Sequence, residues 1–92
     1  MKSPKYDLVE VEWLDAQSGF GVAETIEDLI EFYKPLHSFS TGYLIYDCKD
    51  YIILAFMLFG DDMVKHNQLI PKGMIKSIKK LVGEKNGKRK RR

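Results

Sequence analysis

A single cysteine, Cys48, is the chain's whole supply of thiol, so no internal disulfide can form and no zinc site can be built on cysteines. Long apolar runs are missing too: the longest, Tyr51 to Phe59, has nine residues, against the roughly 20 that a membrane helix requires. The opening stretch, Met1-Lys2-Ser3-Pro4-Lys5-Tyr6-Asp7, lacks the apolar segment of a secretory signal. These absences point to an intracellular, cytoplasmic protein with no membrane partner. Histidine is scarce as well. His37 and His66 stand 29 positions apart, neither beside another ligand at metal spacing, so no metal and no cofactor is expected.

What is present suits one small core. Of the 92 residues, 45% are hydrophobic, 12% aromatic and 30% charged, a composition that excludes disorder and fits a globular domain too short to divide in two. Catalytic signals are weak. Gly19-Phe20-Gly21 lacks the third glycine of a phosphate loop and the apolar strand end before it. Cys48, between Asp47 and Lys49, has no local base or oxyanion donor to activate it. Glu10 and Glu12 share one strand face, which reads as a solvated edge. The expectation is a protein that is not an enzyme.

Charge is distributed unevenly. From Met1 to Val64 four basic residues face twelve acidic ones, a balance of −8; from Lys65 to Arg92 eleven basic residues face only Glu84, a balance of +10. Six of those positives fall in the last eight residues, and without them the body carries −4. An acidic body repels a polyanion on average, so affinity for nucleic acid would have to come from a local patch or from the tail. The division expected is one domain over 1–83 and a disordered basic tail over 84–92. In that tail Lys88, Arg89, Lys90, Arg91 and Arg92 are candidates for nucleic-acid contact. A merely solubilising terminus fits the same residues, as does a nuclear localisation signal in a eukaryote.

Val9, Val11 and Trp13 alternate with Glu10 and Glu12, the period of a half-buried strand. After the turn formers of Asp15–Gly21, Thr25 can cap a helix whose Ile26, Leu29, Ile30 and Tyr33 form one apolar stripe. Acidic Glu24, Glu27, Asp28 and Glu31 lie off that stripe, those of the first turns suit the positive end of the dipole, and Pro35 ends the helix. A helix over about 24–34 is predicted. The rest reads as strands: Thr41–Tyr46 and Tyr51–Phe59 joined as a hairpin by Asp47-Cys48-Lys49-Asp50, then a short strand Asn67–Ile70, a tight turn Pro71-Lys72-Gly73, and an extended piece Met74–Leu81 that also fits a helix. By itself Lys72 reads as a solvated turn lysine, and Gly73 as a position needing positive φ.

Tyr51–Phe59 is apolar at both parities, so both faces of that strand need cover. Either the strand runs under the helix and a single copy is complete, or the bare face is an interface closed by further copies; the second is the more economical.

Ile70-Pro71-Lys72-Gly73-Met74-Ile75 resembles the second sequence motif of the Sm/LSm proteins, in which an apolar residue, Arg or Lys, and Gly precede a short last strand. Gly42, early in a strand that ends Tyr46-Asp47, resembles the first Sm motif. The pattern Val-x-Val-x-Trp-x-Asp, a helix, Gly-Tyr-Leu-Ile and then Ile-Pro-Lys-Gly is similar to a group of small Sm-like proteins from phages and marine metagenomes. The likeness spans about Val9 to Leu81. Here the helix follows the first strand instead of preceding it, and the family's Met-Asn is Asp50-Tyr51, so the asparagine that contacts uridine has no counterpart.

The resemblance implies a mostly β fold, a small, strongly bent, open barrel of five strands, Sm-like or SH3-like, with one short helix. It implies a homo-oligomeric ring, pentamer to heptamer, made by pairing the fourth strand of one copy with the fifth of the next. It also implies binding of RNA or single-stranded DNA at the pore, with Lys72 contacting phosphate or base, Gly73 allowing close backbone approach, and Lys49 and Tyr51 supplying charge and a stacking surface. Two other readings stand beside it. One is a phage protein–protein adaptor or structural component that docks through the acidic helix face; the other is an inert barrel carrying a non-specific nucleic-acid-binding arm.

Overall fold

A computed structural model describes residues 5–19, 21–60 and 62–82. Five antiparallel strands form one sheet that does not close: β1 (Leu8–Asp15), β2 (Leu36–Asp47), β3 (Tyr51–Phe59), β4 (Met63–Pro71) and β5 (Ile75–Lys80), in the order β4-β3-β2-β1-β5. One short helix, α1 (Ile26–Phe32), links β1 to β2, and a single 3₁₀ turn (Lys72–Met74) links β4 to β5. The fold is therefore mostly β, open and barrel-like. Of the Met74–Leu81 segment, Ile75–Lys80 is strand and Met74 belongs to the 3₁₀ turn, and the α-helical alternative does not occur there.

Alternation builds the core. Val9, Val11 and Trp13 of β1 turn inward and meet Ile52 and Leu54 of β3 and Ile70 of β4, with half-buried Leu44 and Ile75 packed against them. Their positions follow from register, since Leu44 lies opposite Leu54 and Ile52 opposite Ile70. Residues at paired positions share a face, so one strand's inward set fixes its neighbour's. Two irregularities bend the sheet, one at Glu12/Trp13 against β5 and one between Leu44 and Tyr46 against β3.

β2 turns the corner. Its first half, from Leu36, pairs with β1, and from Tyr43 onward it pairs with β3. Gly42 sits at this changeover, where an added Cβ would lie 2.9 Å from the Ala55 carbonyl oxygen and 3.2 Å from the Phe56 ring. Beyond Tyr43↔Ala55 the β3–β4 hairpin continues without β2, as a two-stranded ribbon ending at Phe59↔Met63. Pairing is interrupted opposite Phe56, where His66 takes a φ of 61°, and resumes in the same register at Met57↔Lys65.

α1 begins as its sequence predicts and is shorter than 24–34. The Thr25 hydroxyl accepts the Asp28 N–H at 3.1 Å, and Tyr33, ahead of Lys34-Pro35, is already extended. No residue of α1 is buried. Ile26, Ile30 and Phe32 are more than 60% exposed, and on the ribbon Phe56, Met57, Phe59 and Met63 are exposed too. The alternative in which β3 runs under the helix does not occur: α1 buries none of its side chains against the sheet.

Among the described residues no helix is long and apolar enough to cross a membrane.

Candidate nucleic-acid interface

The turn between β2 and β3 is closed by the Cys48 N–H donating to the Tyr51 carbonyl at 3.0 Å, which leaves Lys49 and Asp50 at its tip. Asp50 then ties this turn to the one after β4, because its carbonyl accepts the Lys72 N–H at 2.8 Å. Tyr51 lies opposite Pro71 in the β3–β4 register. Two loops distant in sequence therefore meet at one end of the sheet, and four sequence-predicted residues, Lys49, Tyr51, Lys72 and Gly73, gather there.

The electrostatics are more balanced than the lysines suggest. Lys72 Nζ lies 2.9 Å from Asp47 Oδ1, with both side chains partly exposed. With Lys49 and Asp50 added, the cluster holds two cations and two anions. The Tyr46 and Tyr51 rings tilt against one another with centroids 5.9 Å apart. The Tyr51 phenol is held above its ordinary range, chiefly by the charge Cys48 carries when ionised and then by burial, so it stays a neutral donor and stacking surface at physiological pH. Asp47 and Tyr46 are the partners that sequence reasoning did not assign. Asp47 and Lys72 stand 25 positions apart, and no local pattern marks such a pair.

Gly73 corrects an expectation. The positive-φ glycines among the described residues are Gly21 and Gly60, and Gly73 is not one of them. A Cβ added at Gly73 would meet nothing within 4 Å. Neither backbone strain nor a neighbour requires glycine there; what the position provides is open space beside Lys72. The candidates Lys88, Arg89, Lys90, Arg91 and Arg92 lie outside the described residues.

A second polar cluster crosses three strands on the sheet surface. Glu12 on β1 accepts the Ser77 hydroxyl of β5 at 3.2 Å and lies 2.6 Å from His37 Nε2 of β2. The hydrogen bond to His37, ahead of that to Ser77, holds the Glu12 carboxyl below its usual range, against the effect of desolvation. Ser77 bonds the carboxylate and not the imidazole, so this is not the arrangement of an activated nucleophile. Among the described residues no group of three or more His, Cys, Asp and Glu is placed to hold a metal ion. In comparisons with known proteins, no family model matches the chain, nor does any curated protein or solved structure.

Proposed function

We propose that this chain is a non-enzymatic, Sm-like binding protein that assembles into a ring of identical copies and holds RNA or single-stranded DNA on its two joined loops, with the basic tail adding charge. The observation that carries the reading is the Lys72 N–H···Asp50 carbonyl bond, which fastens the loops so that Lys49, Tyr51, Lys72 and Gly73 form one surface. A cation, an aromatic ring and open backbone are the ingredients of sequence-tolerant single-strand binding.

Self-association is supported separately. β4 and β5 are the two edges of the sheet, and unpaired edges accept further strands. On β4, Gln68 Oε1 is buried with no hydrogen-bond partner among the described residues. The β3–β4 ribbon is apolar and two-stranded, a structure that is marginal alone in water. A seven-residue helix with nothing buried is in the same position. Strand pairing between the β4 edge of one copy and the β5 edge of the next removes both free edges.

The test is binding of short single-stranded oligonucleotides across a salt series, with light scattering on the same sample. Affinity should fall steeply with salt, Lys72→Ala should lower the slope by about one, and the solution mass should be a multiple of 10.7 kDa. No binding, or binding indifferent to salt, removes the proposal. A protein-adaptor role is the second reading, favoured by the exposed α1 with its unburied apolar stripe and four nearby carboxylates. Capture of a protein partner that survives nuclease and is lost on Ile26→Asp would favour it.

A further inference from the structure

The loop cluster does not end at Lys72. Gly73 and Met74 form one wall of a groove of about 430 Å³ whose other walls are the end of β1, with Leu14, Asp15 and Gln17, and the exit of α1, with Tyr33 and Lys34. That volume falls within the range of small-molecule sites, about 300–1,000 Å³. Lys72 precedes Gly73 directly in the chain, and a Cβ added at Gly73 would meet nothing within 4 Å.

The groove's aromatic wall is fixed in place. The Tyr33 hydroxyl donates to Glu24 Oε2 at 3.0 Å, and a Cβ at Gly19 would lie 3.1 Å from that same hydroxyl. The bond to Glu24 holds the phenol above its ordinary range, so the ring remains neutral. Lys34, the next residue, is exposed and forms no ion pair among the described residues. Asp15 Oδ1 accepts the Ala16 N–H at 2.7 Å, and among the described residues Oδ2 takes no donor. The set comprises a ring to stack on, a cation for a phosphate and a carboxylate acceptor.

We infer that this groove takes one nucleotide of the bound strand and favours a base carrying an exocyclic amino group. The inference rests on the nucleic-acid reading of Lys72. A phosphate at Lys72 puts the neighbouring base over Gly73, against Met74 and Tyr33, with the following phosphate toward Lys34. The Asp15 carboxylate, an acceptor only, then receives the amino group of cytosine or adenine; the corresponding edge of uracil presents a carbonyl oxygen and is repelled. Sequence preference would thus arise outside the two loops, on a surface created by the helix inserted between β1 and β2.

Oligo-C and oligo-U of equal length differ in this group, and their titration against the full chain tests the idea. Oligo-C should bind more tightly, by about fivefold or more. Asp15→Asn, whose amide can donate as well as accept, should bring the two within about twofold without altering the melting temperature by more than a degree or two. Tyr33→Ala should weaken both, and Lys34→Ala, at an exposed position, should weaken both while keeping the preference. If Lys72→Ala abolishes binding while oligo-C and oligo-U bind equally and Tyr33→Ala changes nothing, the groove is overturned and the Lys72 surface stands. If neither oligonucleotide binds the wild-type chain, both fall together.

Discussion

Replacing Gly42 by alanine probes the point on which the bent sheet turns. The new Cβ would sit 2.9 Å from the Ala55 carbonyl oxygen, a backbone atom, and 3.2 and 3.3 Å from two carbons of the Phe56 ring. The ring is half exposed and can swing away. The carbonyl cannot, because Ala55 is held in register both to Tyr43 of β2 and to Asn67 of β4. Strands β2 and β3 must therefore separate by roughly half an ångström at the last pair they share, and overpacking of this kind costs about 1–3 kcal/mol. Alanine recovers about 0.4–1 kcal/mol by restricting the unfolded chain. The net expectation is a loss of about 1–2 kcal/mol, or roughly 5–15 °C in melting temperature for a domain of this size. Gly73→Ala is the internal control: it has the same chemistry and no atom within 4 Å of the added carbon, so it should be neutral or slightly stabilising. Thermal melts followed by circular dichroism, all at one protein concentration because association shifts apparent stability, separate the two variants. If Gly42→Ala melts at or above the wild type, the close approach of β2 to β3 is wrong.

Asp47→Asn removes the carboxylate 2.9 Å from Lys72 Nζ. Exposed pairs of this kind contribute about 0.2–1 kcal/mol, so stability should barely change; oligonucleotide affinity should rise severalfold in low salt, and an unchanged or weaker affinity would show that Lys72 does not face the strand. Because the Glu12 carboxyl is depressed in the folded state, its pairing supports the fold above the ordinary value of 4.5 and fades as pH falls through the lowered value. The melting-temperature difference between wild type and Glu12→Gln should accordingly be present at pH 7 and shrink below pH 4.5; a difference that stays constant down to pH 3 would contradict the Glu12–His37 bond.

Where side-chain chemistry and burial agree, the sequence was legible. The alternation of β1, the capped start of α1 and the apolar run of β3 all follow local rules. The first half of β2 does not. There Ser38 and Ser40 lie opposite Trp13 and Val11, on the core side, and Ser40 Oγ accepts the Trp13 indole N–H at 3.0 Å, while Phe39 faces solvent. This inverts the usual pattern, so the strand expected from Thr41 begins five residues earlier, at Leu36, where Leu36–Ser40 pairs with Val11–Asp15 of β1. β4 is expected from Asn67 only, because Lys65 and His66 have no pattern of their own; Lys65 is held in the strand by pairing with Met57 of β3, and His66, at a φ of 61°, marks the interruption of the ladder. For the loop cluster, sequence supplied the cations and the ring, by resemblance. It did not supply Asp47 as the neutralising partner of Lys72, or the groove beside Gly73, since both exist only once β1, the exit of α1 and the 3₁₀ turn are brought together.

That neutralisation bears on how the proposed binding could work at all. In one copy, Lys49 and Lys72 are balanced by Asp47 and Asp50, and the residues before Lys65 carry −8. A cluster with no net charge draws little affinity from phosphate, since the electrostatic contribution grows with the number of phosphates neutralised. Several copies around one opening change this in two ways. A single strand touching adjacent copies makes every contact after the first intramolecular, at the high effective concentration of a short tether. Each phosphate that displaces an Asp47 carboxylate from Lys72 also leaves that carboxylate to water, a modest cost at a half-exposed site and one repaid at every repeat. In the proposed ring, binding and assembly are thermodynamically linked: oligonucleotides long enough to span two copies should bind far more tightly than those spanning one, and should raise the assembled fraction at a protein concentration where the free chain is dilute. Affinity independent of oligonucleotide length would place the contact within one copy and detach it from the ring.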